Sequence, residues 1–177
     1  MGLRWVVPLA AIMFISACTG PIETRVSSSG MALSGDRTIL NEQLGNQSAI
    51  LVQARSLTLQ QLDSRGFSLL ANGALKLDVT VSERPANLLV TTGTEQGKAV
   101  LASPTPKKPL QSCVDSEFNL VVRLTRVADG TELYRGRASE YHCKASLADV
   151  LPFLVDAALA DLNSPNGEHI IKRRGLD

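Results

Sequence analysis

From Leu75 to Ser82 apolar and polar residues alternate without a break: Leu75, Leu77, Val79 and Val81 against Lys76, Asp78, Thr80 and Ser82. A period of two puts the four apolar side chains on one face, so the pattern predicts a half-buried β-strand, ended by Pro85. The alternation returns at Phe118, Leu120, Val122 and Leu124, set against Asn119, Val121, Arg123 and Thr125. Ala128-Asp129-Gly130-Thr131 supplies a turn, and the return strand runs from Glu132 to His142. With Phe118, Leu120 and Val122 facing inward, Tyr134, Gly136 and Ala138 are expected beside them, small enough for a helix to approach closely. Arg123, Arg135 and Arg137 then share the outer face, opposed by Glu117.

Two segments carry a helical period instead. Residues 48–65 place Ile50, Leu51, Ala54, Leu57 and Leu62 on one stripe, and Gly66 follows where a helix closes in the left-handed region. Near the C-terminus Leu151, Leu154, Val155, Ala158, Leu159 and Leu162 form a second stripe, stopped by Asn163-Ser164-Pro165. Ser146 or Asp149 can cap this helix. Pro152 favours Asp149, because proline is tolerated in the first turn.

The remaining segments are weaker in pattern. Residues 19–37 are rich in Gly, Ser and Thr and read as a tether with a first strand at Glu23–Met31. A short apolar run, Asn87–Thr92, precedes a turn-rich stretch, and residues 102–111, with three prolines and two lysines, read as an exposed loop. The expected division is 1–17 signal peptide, 18–37 lipidated cysteine and tether, 38–163 one domain, and 164–177 a polar tail. The fold class expected is α+β, a four- to five-stranded mostly antiparallel sheet with two helices packed on one face.

The N-terminus changes the picture of where this domain works. Met1 to Ala17 has one cation, Arg4, an apolar run from Trp5 to Phe14, and then Ile15-Ser16-Ala17-Cys18. The run is too short to span a bilayer, which takes about 20 residues, and its position suits a targeting segment. These four residues resemble the lipobox of bacterial lipoproteins. The resemblance implies cleavage before Cys18 and a diacylglycerol, with palmitate, on its thiol. Two or three acyl chains anchor a protein stably where one does not. Without residues 1–17 the charged side chains balance at 17 Lys+Arg against 17 Asp+Glu, so there is no electrostatic footprint for nucleic acid or for an anionic membrane surface.

Cys113 and Cys143 remain in a compartment where disulfides persist. A five-residue loop, 126–130, would set them directly opposite, and a three-residue loop, 128–130, one diagonal apart; both fall on the outer face, within reach of a bridge. A thiol/imidazole metal site using His142 is the rival, one ligand short of structural zinc. Other chemistry is sparse. Neither a Gly-x-Ser-x-Gly elbow, nor a His-Glu-x-x-His pair, nor a phosphate-binding loop occurs, and no cofactor fingerprint is found. Asp115 and Glu117 share a face and read as a solvated edge near Arg135 or Arg137. Glu140 and His142 also share a face, but lack a neighbouring nucleophile. His169 sits in the tail, and Lys172-Arg173-Arg174 is too short a cluster to imply nucleic acid. Catalytic, cofactor and metal sites are therefore not expected.

The order of helix, LDSRGF, alternating strand, ERPANLLV, hairpin with GTELYRGRAS and amphipathic helix resembles the DUF4136-type small periplasmic α/β lipoproteins. Arg65-Gly66-Phe67 and Tyr134-Arg135-Gly136 carry the likeness, over roughly residues 48–162; the cysteine pair and the proline-rich insertion stand outside it. Lipoprotein sorting implies the periplasmic face of the outer membrane, since Thr19 rather than Asp follows Cys18. The function expected is a non-catalytic binding or assembly module of a cell-envelope complex, held by lipid and meeting an envelope protein. The alternative is a small-molecule or glycan binder, and behind it a hydrolase.

Overall fold

A computed structural model describes residues 21–31, 33, 35, 37–42, 45–88, 90–92, 99–102, 104 and 113–174. Along the chain run β1 (Ile22–Gly30), β2 (Thr38–Leu40), α1 (Ala49–Asp63), β3 (Ser68–Leu70), β4 (Leu75–Pro85), β5 (Val90–Thr92), β6 (Ala99–Ala102), β7 (Ser116–Arg126), β8 (Glu132–His142), α2 (Leu147–Ala158) and β9 (Gly167–Arg173). Seven strands form one sheet in the order β3-β2-β4-β7-β8-β1-β9, and β5 and β6 pair separately. The β4-β7-β8-β1-β9 ladder is antiparallel, while β2 runs parallel to both β3 and β4.

The expectation of four to five, mostly antiparallel strands is overturned: the sheet has seven and is mixed. Two of the missed strands, β2 and β3, are three residues each, too short to show a period. β9 falls in residues expected as a polar tail, and its sequence, Glu168-His169-Ile170-Ile171-Lys172-Arg173, shows no alternation of apolar with polar side chains. β1 points Ile22, Thr24, Val26 and Ser28 into the protein. Half of that inward row is hydroxyl, so its alternation is chemically faint.

Where the apolar pattern is strong, the strands form as read. Leu75 and Leu77 of β4, Phe118, Leu120, Val122 and Leu124 of β7, and Tyr134 and Ala138 of β8 are buried in one cluster. α1 and α2 contact each other; α1 packs on β4 and α2 on β1, β7 and β8. In α1 the buried row is Ala54, Thr58 and Leu62, with Ile50 and Leu57 partly covered. Thr58 satisfies its hydroxyl on the Ala54 carbonyl, 2.8 Å away. The helix closes with the Phe67 N–H on Leu62 O and the Gly66 N–H on Asp63 O, Gly66 taking φ +84°.

α2 starts earlier than Pro152 implied. Ser146 is the N-cap and forms a capping box with Asp149, so both candidate caps are used and Pro152 lies inside the helix. Its ring faces solvent, where the Ala148 carbonyl that loses its usual donor can meet water. Gly136 sits directly under this helix: a Cβ there would intrude on the Ala158 carbonyl, to which the Tyr134 hydroxyl already donates at 2.7 Å.

The β7–β8 turn is neither of the two loops considered. Arg126 N–H bonds Thr131 O at 2.8 Å, which leaves Val127–Gly130 as a four-residue turn. An irregularity between Leu124 and Thr125 then shifts the ladder, so that Leu124 faces Tyr134 and Ser116 faces His142. That register carries the cysteines one diagonal apart. Cys113 and Cys143 are disulfide-bonded, with Cα atoms 5.6 Å apart, which leaves neither thiol for a metal.

Candidate functional site

Polar side chains gather in two places, one buried and one open. Inside, Glu140 of β8 continues the inward row of Tyr134 and Ala138, and lies under neighbours from β1 and β9 that the hairpin alone does not reveal. Its Oε1 accepts hydrogen bonds from the Thr24 hydroxyl and from Arg173 Nε (3.2 Å); its Oε2 accepts Arg173 Nη2 at 2.6 Å and His142 Nε2 at 2.7 Å. The His142 ring stacks on Phe118, centroids 5.7 Å apart, and the Arg173 guanidinium covers the Phe153 ring at 3.8 Å. Burial alone would raise the Glu140 pKa. The bonds from His142, Arg173 and Thr24 outweigh it and hold the carboxyl at about 2. Glu140 is 0% and His142 2% exposed, so no substrate reaches this pair. The cluster ties β8 and β9 to β1.

Outside, the face of the sheet opposite the helices holds a groove of about 520 Å³, lined by Arg25, Ser27, Glu117, Arg137, Ser139, Glu168 and Ile170 among others. Strand register builds it. Ile170, Arg25, Ser139 and Asn119 lie in one row across β9, β1, β8 and β7, with Glu168, Ser27, Arg137 and Val121 in the next. Arg25 donates to the Tyr141 hydroxyl at 3.1 Å and lies over that ring, and Arg137 Nε donates to Asn119 Oδ1 at 2.8 Å. Among the described residues neither arginine has a carboxylate within ion-pair distance. Their remaining N–H groups face solvent, suited to carboxylates, phosphates or hydroxyl-rich surfaces.

Glu117 corrects a second expectation. Rather than edging a solvated face near Arg135 or Arg137, it is buried and paired with Arg84, its direct neighbour on β4. Arg135 and Arg123 share Glu132 instead, each at 3.7 Å. Arg137 stands on the outer face as its alternation predicts. Arg25 and Ile170 were missed, because only the pairing of β1 with β8 and β9 brings them beside it. Cys18, the expected lipidation site, lies outside the described residues, as does most of the proline-rich loop.

No family model matches the chain, and no curated protein matches it in sequence. Among solved structures it is similar to a PelC dodecamer from Paraburkholderia phytofirmans, at 15% identity over 81% of this chain and 99% of that one, with a TM-score of 0.49. A single-site variant of the same protein aligns at 14% identity over 80% and 98%, TM-score 0.47. A PDZ domain protein from Parabacteroides distasonis aligns at 12% identity over 86% of this chain and 39% of that one, TM-score 0.48. At such values the resemblance is one of general shape, and nothing about ligands or assembly follows from it.

Proposed function

We propose that the protein is a lipid-anchored periplasmic lipoprotein, held by Cys18 at the outer membrane, that serves as a non-catalytic binding or assembly module of a cell-envelope complex. The lipobox supports the anchor, and the Cys113–Cys143 bridge fits an oxidising compartment. The observation that carries the binding role is the groove beside β9. There, among the described residues, a seven-residue edge strand has a strand partner on one side only, Ile170 is 53% exposed, and two arginines lack carboxylate partners. An extended segment of an envelope protein can add to such an edge through main-chain bonds, with acidic side chains reaching Arg25 and Arg137.

A photo-crosslinking residue at Ile170 tests this in intact cells, with Ser56 on the exposed side of α1 as control. A discrete crosslinked envelope protein from position 170, absent at 56 and lost in Arg25→Glu/Arg137→Glu, is the expected result. Crosslinks equal at both positions, or none at 170, would contradict it.

The alternative, a small-molecule or glycan binder, draws on a second hollow of about 430 Å³ at the other end of the sheet, where Leu33, Leu75, Val127 and Leu133 meet Asn72 and Arg126. Its size and mixed lining suit a small ligand. Retention of a glycan by the wild type that Val127→Asp abolishes and Arg137→Glu does not would move the function to this end.

A further inference from the structure

The N-terminal anchor and the strand register together orient the domain. β1 starts at Ile22, which faces Arg173; Ser116 faces His142, and Pro85 faces Ser116. One end of the sheet therefore collects the start of β1 and β7 and the close of β4, β8 and β9. Three residues separate Cys18 from Ile22, a reach of at most about 14 Å over the four Cα steps. The opposite end, with Gly30, Tyr134 and the Val127 turn, lies about 30 Å further along the strands. Acyl chains on Cys18 would thus hold the Ile22 end, and only that end, close to a bilayer.

Two large apolar residues stand exposed at this end, Leu88 at 50% and Val114 at 53%. Their segments are joined by the backbone: the Ala86 N–H bonds the Asp115 carbonyl at 2.7 Å, and the Leu88 N–H bonds Pro85 O at 3.3 Å. The disulfide fastens the Val114 segment to the residue before Lys144. Lys144 and Arg174 are exposed there too, while Glu23, the nearby carboxylate on β1, is engaged by Lys172 at 3.0 Å. Singly exposed apolar side chains are ordinary. Two of them, with two exposed cations, at the one end a short lipid tether can hold to a membrane make a matched surface.

We infer that this end is the membrane-apposed face of the protein, with Leu88 and Val114 entering the lipid interface and Lys144 and Arg174 among anionic phospholipid headgroups. The inference rests on the lipid-anchor reading above. It leaves the Arg25/Arg137 groove facing sideways, along the membrane plane, and the Val127 end facing the periplasm.

An environment-sensitive fluorescent residue placed at Leu88, Val114, Val127 or Met31 of the full lipidated chain tests the orientation. The protein is reconstituted in phosphatidylethanolamine/phosphatidylglycerol vesicles carrying a headgroup-linked quencher. Probes at 88 and 114 should shift to shorter wavelength and be quenched several-fold more than those at 127 and 31. Equal quenching at the two ends, or stronger quenching at 127 and 31, overturns the inference. Palmitate incorporation is measured on the same preparation. Acylated protein without the contrast refutes the orientation alone, whereas unacylated protein refutes the anchor and the orientation with it.

Discussion

Gly136 and Glu140 lie four residues apart on the same inward row of β8, and they fail in different ways when changed. Any side chain at 136 must displace the Ala158 carbonyl or the Tyr134 hydroxyl. Overpacking of that kind costs about 1–3 kcal/mol, so Gly136→Val should lower the melting temperature in calorimetry despite valine's better strand propensity. Arg137→Val, one residue along and facing out, should change it little; equal losses in both variants would mean that the facing of β8 is wrong. Glu140 acts through charge. Its carboxyl titrates at about 2 in the fold, below an ordinary glutamate near 4.3. The stability this contributes is present above the unfolded pKa and is lost as pH falls from about 4.3 to about 2. The difference amounts to about 3 kcal/mol. Urea unfolding of the wild type should weaken across that window. Glu140→Gln should be less stable at neutral pH, because the Arg173 guanidinium loses its buried counter-charge, and should show a flatter acid limb. An unchanged acid limb in that variant would show that other carboxylates set it.

At the scale of elements, the disulfide and the cap of α2 make separable contributions. Closing a loop of 30 residues stabilises by about 3–4 kcal/mol in the chain-entropy model. Non-reducing mass spectrometry should recover a peptide linking Cys113 to Cys143, and reduction should lower the unfolding midpoint; two free thiols in periplasmic material would refute the bridge. Ser146→Ala removes the side chain that bonds Asp149 and should cost about 1 kcal/mol. Which elements were legible follows from how their faces are made. β4, β7 and β8 alternate hydrocarbon with polar groups, and α2 has an apolar stripe, so local pattern sufficed. β1 buries Thr24 and Ser28 because Glu140 and Asp161 accept their hydroxyls, partners more than a hundred residues away that no local window contains. β2, β3 and β9 owe their existence to the strands beside them. Pro152 misled because a capping box two turns upstream outweighed the preference of proline for a first turn.

At the scale of the whole molecule, one face of the sheet is covered by helices and the other, among the described residues, holds an open groove. The alternation along β8 placed Arg137 on that open face. It could not place Arg25 and Ile170 there, since their register depends on β1 lying between β8 and β9. The central claim is that this scaffold is presented at a membrane by lipid on Cys18. The most direct measurement is palmitate labelling of the wild type and of Cys18→Ser in cells, with intact-mass analysis of the products. The wild type should yield a labelled mature chain that begins at Cys18, and the variant an unlabelled chain that keeps residues 1–17. Undiminished labelling of Cys18→Ser, or a wild-type chain whose mature N-terminus is another residue, would contradict it.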